Sequence, residues 1–412
     1  MPNPAAQNSK YFRHNLHIYN WVKVLSKRVY LPLTTIYLVQ VGHLTLAQIG
    51  ALATISALTS IAGGIPTGYY ADRVQRKHAI TIGALLIMAA TFIITFFPQF
   101  PGAIAFTFIE SLGFSFISGA GEALMHDTLL DVGQEDQYVK VMGRAQSFGL
   151  IGNIVLVGLV PLTYSVDKRL PFLLGAIATG ILAYLGASLN EPPRTKPPHL
   201  SGAVFGGLVK SLRTFINQWS IWIFIAIGML SAFYITYAQF INLVYKDLGM
   251  NPSYIGLVYS VSSIVGAAGG LVVHQLKRIP FLAYGLFDVF MATFTMVAIG
   301  LTHNLWVAIV MGLLNMGFWR LRNILYQDNL LRRFGHSGSK ATLISTLGFF
   351  SNIDEIWLPY FFVLATTSLG FYAGFTVLGI VGFVVMGILY VVGVQALDRH
   401  AVPGAPAAAK SA

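Results

Sequence analysis

Gly68-Tyr69-Tyr70-Ala71-Asp72-Arg73-Val74-Gln75-Arg76-Lys77 is a short polar stretch between two apolar runs. Upstream, Leu46 to Pro66 contains no charged residue, and neither does Ala79 to Phe97 downstream. A helix needs about 20 apolar residues to cross a bilayer, so each run is long enough to span. Arg73, Arg76 and Lys77 mark the turn between them as cytoplasmic, because basic residues are retained on that side. The unit read here, apolar run, basic loop, apolar run, sets the pattern for the rest of the chain.

Extended along all 412 residues, the same reading gives twelve spans, centred near Tyr30, Leu58, Met88, Leu112, Val155, Ile181, Phe233, Ser262, Phe290, Leu313, Asn352 and Gly379. The first is the least clean, since Lys23, Lys27 and Arg28 interrupt it. With both termini cytoplasmic, 17 of the 26 Lys and Arg residues fall inside and 3 outside, a bias that sets the topology. Composition agrees: hydrophobic residues make up 55%, charged residues 10%, and mean hydropathy is +0.68. A soluble domain carries about 25% charged residues, so this chain is read as an all-α polytopic membrane protein. The net charge of +11 belongs to cytoplasmic loops and not to a nucleic-acid face. The absence of cysteine excludes disulfides, thiolate metal sites and thiol catalysis. No cleavable signal peptide is expected, because the first ten residues are polar.

The longest polar break, Asn190 to about Gln218, holds Glu191-Pro192-Pro193-Arg194-Thr195-Lys196-Pro197-Pro198. Paired prolines keep such a segment extended. It predicts a six-helix bundle over residues 1–189, a cytoplasmic linker over 190–218, a second six-helix bundle over 219–396 and a cytoplasmic tail over 397–412. The two halves resemble each other. Ile49-Gly50 through Ala62-Gly63-Gly64 aligns without gaps on Ile255-Gly256 through Ala268-Gly269-Gly270, an offset of 206. Glu122 to Leu130 aligns on Asn323 to Leu331 at an offset of 201. Repeated halves suit transporters that rock one bundle against the other around a midplane site.

The loop at Gly68–Lys77 resembles the signature loop of the major facilitator superfamily, Gly-x-x-x-Asp-Arg-x-Gly-Arg-Lys, with Gln75 in place of the usual Gly. Ser118-Gly119-Ala120-Gly121-Glu122 through Asp127, and Lys340 through Ser345, resemble segments of a twelve-span, efflux-like branch. The resemblance implies two pseudo-symmetric bundles and a cytoplasmic gate. In it Gly68 allows close helix approach, Asp72 meets a helix start of the other half, and Arg73, Arg76 and Lys77 pair with Glu122 or Asp127. The alternative is that these cations only hold the loop inside. Two efflux features are absent: the Pro of the span-5 Gly-Pro motif, where Gly149 and Gly152 stand without it, and the span-4 Arg, near whose place lies Glu110.

Ionisable groups inside a span are costly and mark function by default. Lys27 and Arg28 lie in span 1, Glu110 in span 4, Asp288 in span 9, Arg320 and Arg322 in span 10, Asp354 and Glu355 in span 11. The resemblance places spans 1, 4, 7 and 10 around a central cavity, which makes Lys27 or Arg28, Arg320 and the span-7 residues Tyr234, Tyr237 and Gln239 candidate substrate contacts. Asp354 and Glu355 are the candidate proton-coupling pair, with Glu110 as the alternative. Asp288 is read as a structural partner, and Arg322 as either a gate or a cavity residue.

Enzyme readings fail on geometry. Gly335-His336-Ser337-Gly338 has the Gly-x-Ser-Gly pattern of an intramembrane protease, yet the sole later histidine is His400, in the tail. No Gly-x-x-x-x-Gly-Lys-Ser/Thr loop exists to bind ATP. The expectation is therefore a secondary transporter of the plasma (inner) membrane, acting as a monomer without cofactor. Its partners are a small-molecule substrate, protons and the lipid bilayer, with no nucleic acid. Export of a small organic compound driven by proton entry leads; proton-coupled uptake of an organic anion is the alternative.

Overall fold

The computed structural model describes residues 4–192, 221–276, 279–334 and 340–399. Among these residues the regular structure is helical throughout. The α-helices are α1 (Pro4–Leu25), α2 (Leu31–Gln40), α3 (Leu46–Arg73), α4 (Arg76–Phe96), α5 (Phe100–Ile117), α6 (Ala120–Asp131) and α7 (Tyr138–Leu159). They continue with α8 (Leu170–Ser188), α9 (Ile221–Asp247), α10 (Ile255–Leu276), α11 (Phe281–Thr302), α12 (Leu305–Phe334), α13 (Lys340–Leu369) and α14 (Phe371–Arg399). Among the described residues eight helical stretches are long and apolar enough to cross a membrane, and Leu31–Gln40 and Leu305–Trp319 are shorter apolar segments. The linker after Pro192 and the tail after Arg399 lie outside the described residues.

Two of the expected continuous spans are broken. Span 1 is α1 and α2 with a break at residues 26–30. The cause is Pro32: it has no N–H for the Arg28 carbonyl, and its ring clashes with that group. Leu31 N instead donates to Arg28 O in a tight turn at 3.1 Å. Span 4 is α5 and α6, broken at Ser118-Gly119, where Gly119 takes the left-handed conformation at φ +77. The middle of span 1 is therefore not helix at all, and Lys27 and Arg28 sit in its break.

The described residues fall in two compact units, one drawn from Met1–Ser201 with Asn242–Ser263, the other from Gly202–Ile241 with Ile264–Ala412. In the first, α4 packs on both α8 and α5, and α1 packs on α7. Small residues permit this: a Cβ on Gly83 would stand 2.5 Å from the Gly113 carbonyl oxygen, so α4 and α5 meet backbone to backbone. The segment from Asn242 to Ser263 joins this unit through α7. Ser260 Oγ donates to Ile154 O at 2.6 Å, and a Cβ on Gly256 would lie 2.3 Å from Val157 O. In the second unit α11 packs on α14, where the Tyr390 ring occupies the space a Gly285 side chain would need and its hydroxyl donates to Phe281 O at 2.9 Å.

Candidate functional site

The signature loop closes on its own unit. α3 ends at Arg73 and α4 begins at Arg76, so the motif is a two-residue joint between helices. The Arg76 guanidinium donates to Asp127 and to the Ala123 carbonyl, both on α6. Of the two acids expected to take the loop cations, Asp127 does so; Glu122 pairs with Lys23 of α1 at 3.0 Å instead. Arg73 lies over the Tyr69 ring at 4.9 Å. Lys77 contributes its backbone N–H, which with that of Arg76 donates to the two oxygens of Glu191, each at 3.0 Å. Glu191 thus neutralises the exposed donors at the start of α4. Asn15 fixes the residue before it, exchanging hydrogen bonds with the Asn190 backbone at 2.9 and 3.0 Å. The beginning of the polar break is therefore bolted to α1 and α4, a role sequence reasoning missed. An acid directly after a span end and close to a cytoplasmic helix start is the signal that was present. Gly68 has open space around its Cα, and the Asp72 side chain lies outside the described residues.

The break in span 1 gathers the charges of the first unit. Gly149 and Gly152 of α7, the span-5 glycines, have no Cβ; one would meet Lys23 at 3.0 Å and Val24 at 2.5 Å. They seat the last turn of α1 and so place the break. Arg28 Nη1 faces Glu110 Oε2 at 3.6 Å, with side-chain exposures of 39% and 8%. The other Glu110 oxygen accepts the Tyr30 hydroxyl at 2.7 Å, and that hydroxyl accepts from Thr91 at 3.2 Å. The Arg28 guanidinium also lies over the Phe114 ring at 4.7 Å. Lys27 is exposed beside it. A break of this kind in a span frees backbone groups and admits charge where a continuous helix would not.

The second unit holds two further charge sites. On α12, Arg322 is fully buried and donates through Nε to Asp288 of α11 at 2.9 Å. Its Nη1 donates to Ser231 at 2.8 Å and Nη2 to the Ile227 carbonyl at 3.3 Å, both on α9. Tyr234 donates to the other Asp288 oxygen at 2.8 Å. The guanidinium stands 5.1 to 5.3 Å from the rings of Tyr326, Trp319 and Tyr234. Arg322 and Asp288 therefore tie three helices together, and Tyr234 belongs to that network. Tyr237 is buried and Gln239 partly so on the same helix. The Arg320 side chain lies outside the described residues.

On α13, Asp354 and Glu355 are tied to their own helix. Trp357 Nε1 donates to Asp354 Oδ1 at 3.1 Å, and Ser351 Oγ donates to Glu355 Oε1 at 3.2 Å. Asp354 is 5% exposed, and its Oδ2 has no hydrogen-bond partner. Among the described residues no cation comes within ion-pair distance of either acid.

A chain whose described residues form helices throughout, several of them apolar and of membrane length, belongs to the class of multi-pass membrane proteins. The sequence profile of the Major Facilitator Superfamily matches residues 16–353, and the chain belongs to that superfamily. Membership marks it as a transporter and not an enzyme. The structure is similar to that of the nucleoside transporter NupG, with a TM-score of 0.74 at 14% identity, covering 93% of this chain and 99% of that one. It is also similar to a bacterial homologue of the human lysosomal transporter Spinster, inward-facing and unoccupied (TM-score 0.71, 14% identity, 98% and 100% covered). A POT family transporter in complex with 5-aminolevulinic acid is a third (TM-score 0.70, 13% identity, 92% and 96% covered). No curated protein sequence matches the chain. At these identities the likeness is one of fold.

Proposed function

We propose that the chain is a proton-coupled secondary transporter that exports a small organic compound by alternating access. It works as a monomer of two six-helix bundles, residues 1–189 and 219–396, in the inner membrane with both termini cytoplasmic. The observation that carries the coupling is the acid pair on α13, the helix read as span 11, where Asp354 is buried and its Oδ2 has no hydrogen-bond partner. A carboxylate there is expensive, and taking up a proton removes the charge. The loop joint at Arg76 and Asp127 supports the cytoplasmic gate, because a partly buried, charge-assisted hydrogen bond holds α4 to α6 until it is broken. The resemblance of Ser118 through Asp127 and of Lys340 through Ser345 to segments of an efflux-like branch favours export.

One observation favours the second reading, uptake of an organic anion. Arg28 remains 39% exposed at the span-1 break although Glu110 faces it, and Lys27 is exposed next to it. Such a pair of cations suits a carboxylate-bearing cargo.

The test uses everted membrane vesicles and intact cells expressing the chain, screened with ethidium, uridine, a dipeptide and citrate. Accumulation in everted vesicles under an inward-acid pH gradient, abolished by an uncoupler, supports export. Uncoupler-sensitive accumulation of citrate in intact cells supports the second reading. Equal fluxes with and without the gradient refute both.

A further inference from the structure

We infer that Asp354 is the residue that loads and releases the proton, through its Oδ2 atom, and that Gly228 and Trp357 are the positioning residues that hold that atom ready. This rests on the coupling reading above and names the atom within it.

The four intramembrane acids differ in what their oxygens already do. Asp288 has both occupied, by Arg322 Nε at 2.9 Å and by the Tyr234 hydroxyl at 2.8 Å. Glu110 has both occupied: Oε1 by the Tyr30 hydroxyl at 2.7 Å and Oε2 by Arg28 at 3.6 Å. Each of its oxygens thus already faces a donor or a cation. Glu355 reaches back one turn to Ser351 at 3.2 Å. Asp354 has one oxygen fixed by the Trp357 indole at 3.1 Å and one buried oxygen with no donor. A buried acceptor with no donor carries an uncompensated desolvation cost. A bound proton removes the charge that makes the site costly.

The seat for Oδ2 is made by an absence. A Cβ on Gly228 of α9 would stand 2.8 Å from Oδ2 and 2.9 Å from the Phe350 carbonyl carbon. Both are closer than a real Cβ comes, so α9 and α13 approach backbone to backbone and Oδ2 lies against bare main chain. Phe224 of α9 packs on Phe350 alongside, with ring centroids 6.2 Å apart, and adds apolar cover. Among the described side chains of the packed elements no charged group answers the carboxylate. α9 carries Lys246 and Asp247, 18 and 19 residues beyond Gly228, and Arg322 of α12 is committed to Asp288. The side chains of Arg320, Asp328, Arg332 and Arg333 of α12, Lys340 of α13, and Asp398 and Arg399 of α14 lie outside the described residues. Glu355 is the remaining acid, on the same helix.

The geometry also selects the ion. Asp354 bonds forward along α13 to residue 357, and Glu355 bonds backward to residue 351. Adjacent helical side chains diverge by about 100°. The two carboxylates therefore do not converge on one point, whereas a dehydrated metal cation needs several oxygens around it. A proton needs one. In the loading step a hydronium ion gives its proton to Oδ2, forming one O–H bond and leaving water; in release the proton returns to a water on the other side.

The experiment is an infrared pH titration of the full chain in phosphatidylcholine vesicles, in light and heavy water, reading the carbonyl band of a protonated carboxylic acid. The expected wild-type result is a titrating band that shifts on deuteration and is unmoved by sodium chloride. It disappears in Asp354→Asn, persists in Glu355→Gln and Glu110→Gln, and titrates at a different pH in Gly228→Ala and Trp357→Phe. Trp357→Phe guards against the chance that Gly228→Ala fails to insert. Persistence of the band in Asp354→Asn, its loss in Glu355→Gln, its absence from the wild type, or its removal by sodium overturns the assignment. Because the reading needs no cargo, it is independent of the vesicle screen: a wild type with the band but no gradient-driven flux refutes the coupling reading, while a coupled wild type whose band survives Asp354→Asn refutes this one.

Discussion

Replacing Asp288 by Asn leaves the shape of the α11 side chain and removes its charge, which makes it a clean test of the three-helix network. In the native arrangement both carboxylate oxygens are used, one by Arg322 Nε at 2.9 Å and one by the Tyr234 hydroxyl at 2.8 Å. Both partners of the ion pair are fully buried. Breaking such a pair strands a desolvated cation and costs about 3–5 kcal/mol. Arg322 keeps Ser231, Ile227 O and three aromatic faces in the variant, so the cation is not left bare and the cost lies at the low end of that range. The net expectation is about 3 kcal/mol, or a fall in Tm of roughly 10 °C at 2–4 °C per kcal/mol. Tyr234→Phe removes one hydrogen bond to a charged acceptor and costs about 1.5–3 kcal/mol. The double variant Asp288→Leu with Arg322→Met exchanges the pair for apolar side chains and recovers most of the loss, since a buried ion pair is close to neutral against well-packed hydrophobic residues. Thermal unfolding of the purified chain in detergent, followed by intrinsic fluorescence, measures all three. If Asp288→Asn unfolds within 2 °C of wild type while gradient-driven flux is abolished, the network is part of the transport cycle and the structural argument fails.

Asp72→Asn lowers transport turnover while surface expression is unchanged, because a single charge at the cytoplasmic edge is lost; normal turnover refutes the gate. Arg28→Gln weakens anionic cargo more than neutral cargo, by a factor of ten or more in apparent affinity for each ~1.4 kcal/mol of lost ion pairing; binding measured by competition on the same vesicles tests it, and equal losses point to folding instead. Gly256→Leu destabilises the packing of the Asn242–Ser263 segment on α7, since even a Cβ there would lie 2.3 Å from Val157 O, and a drop of about 1–3 kcal/mol is expected from overpacking. Glu191→Ala leaves the Arg76 and Lys77 backbone donors at the start of α4 without their acceptor and costs about 1 kcal/mol, as loss of a helix cap does; thermal unfolding detects it.

The local pattern of the chain determined what depends on local physics. Apolar runs of bilayer length, the Lys/Arg bias and the Gly68–Lys77 loop established a helical, multi-pass chain and its superfamily, because hydropathy and charge act residue by residue against the bilayer. The break in span 1 was partly legible, since Pro32 withholds the N–H that a helix through Arg28 needs; Pro66 and Pro359, which stand inside unbroken helices, show that the proline alone does not decide it. Partner choice was beyond reach. Glu122 and Asp127 lie five residues apart on one helix, and whether Arg76 or Lys23 meets each depends on how α1, α4 and α6 are rotated in the packed unit. Arg322 and Asp288 are 34 residues apart, and Ser231 is 91 from Arg322; helix rotation and the approach permitted by glycines bring them together. The same holds for Asp354. Its place in a long, mostly apolar stretch could be read directly, but the oxygen left without a donor lies where Gly228, on another helix, has no side chain to fill the space.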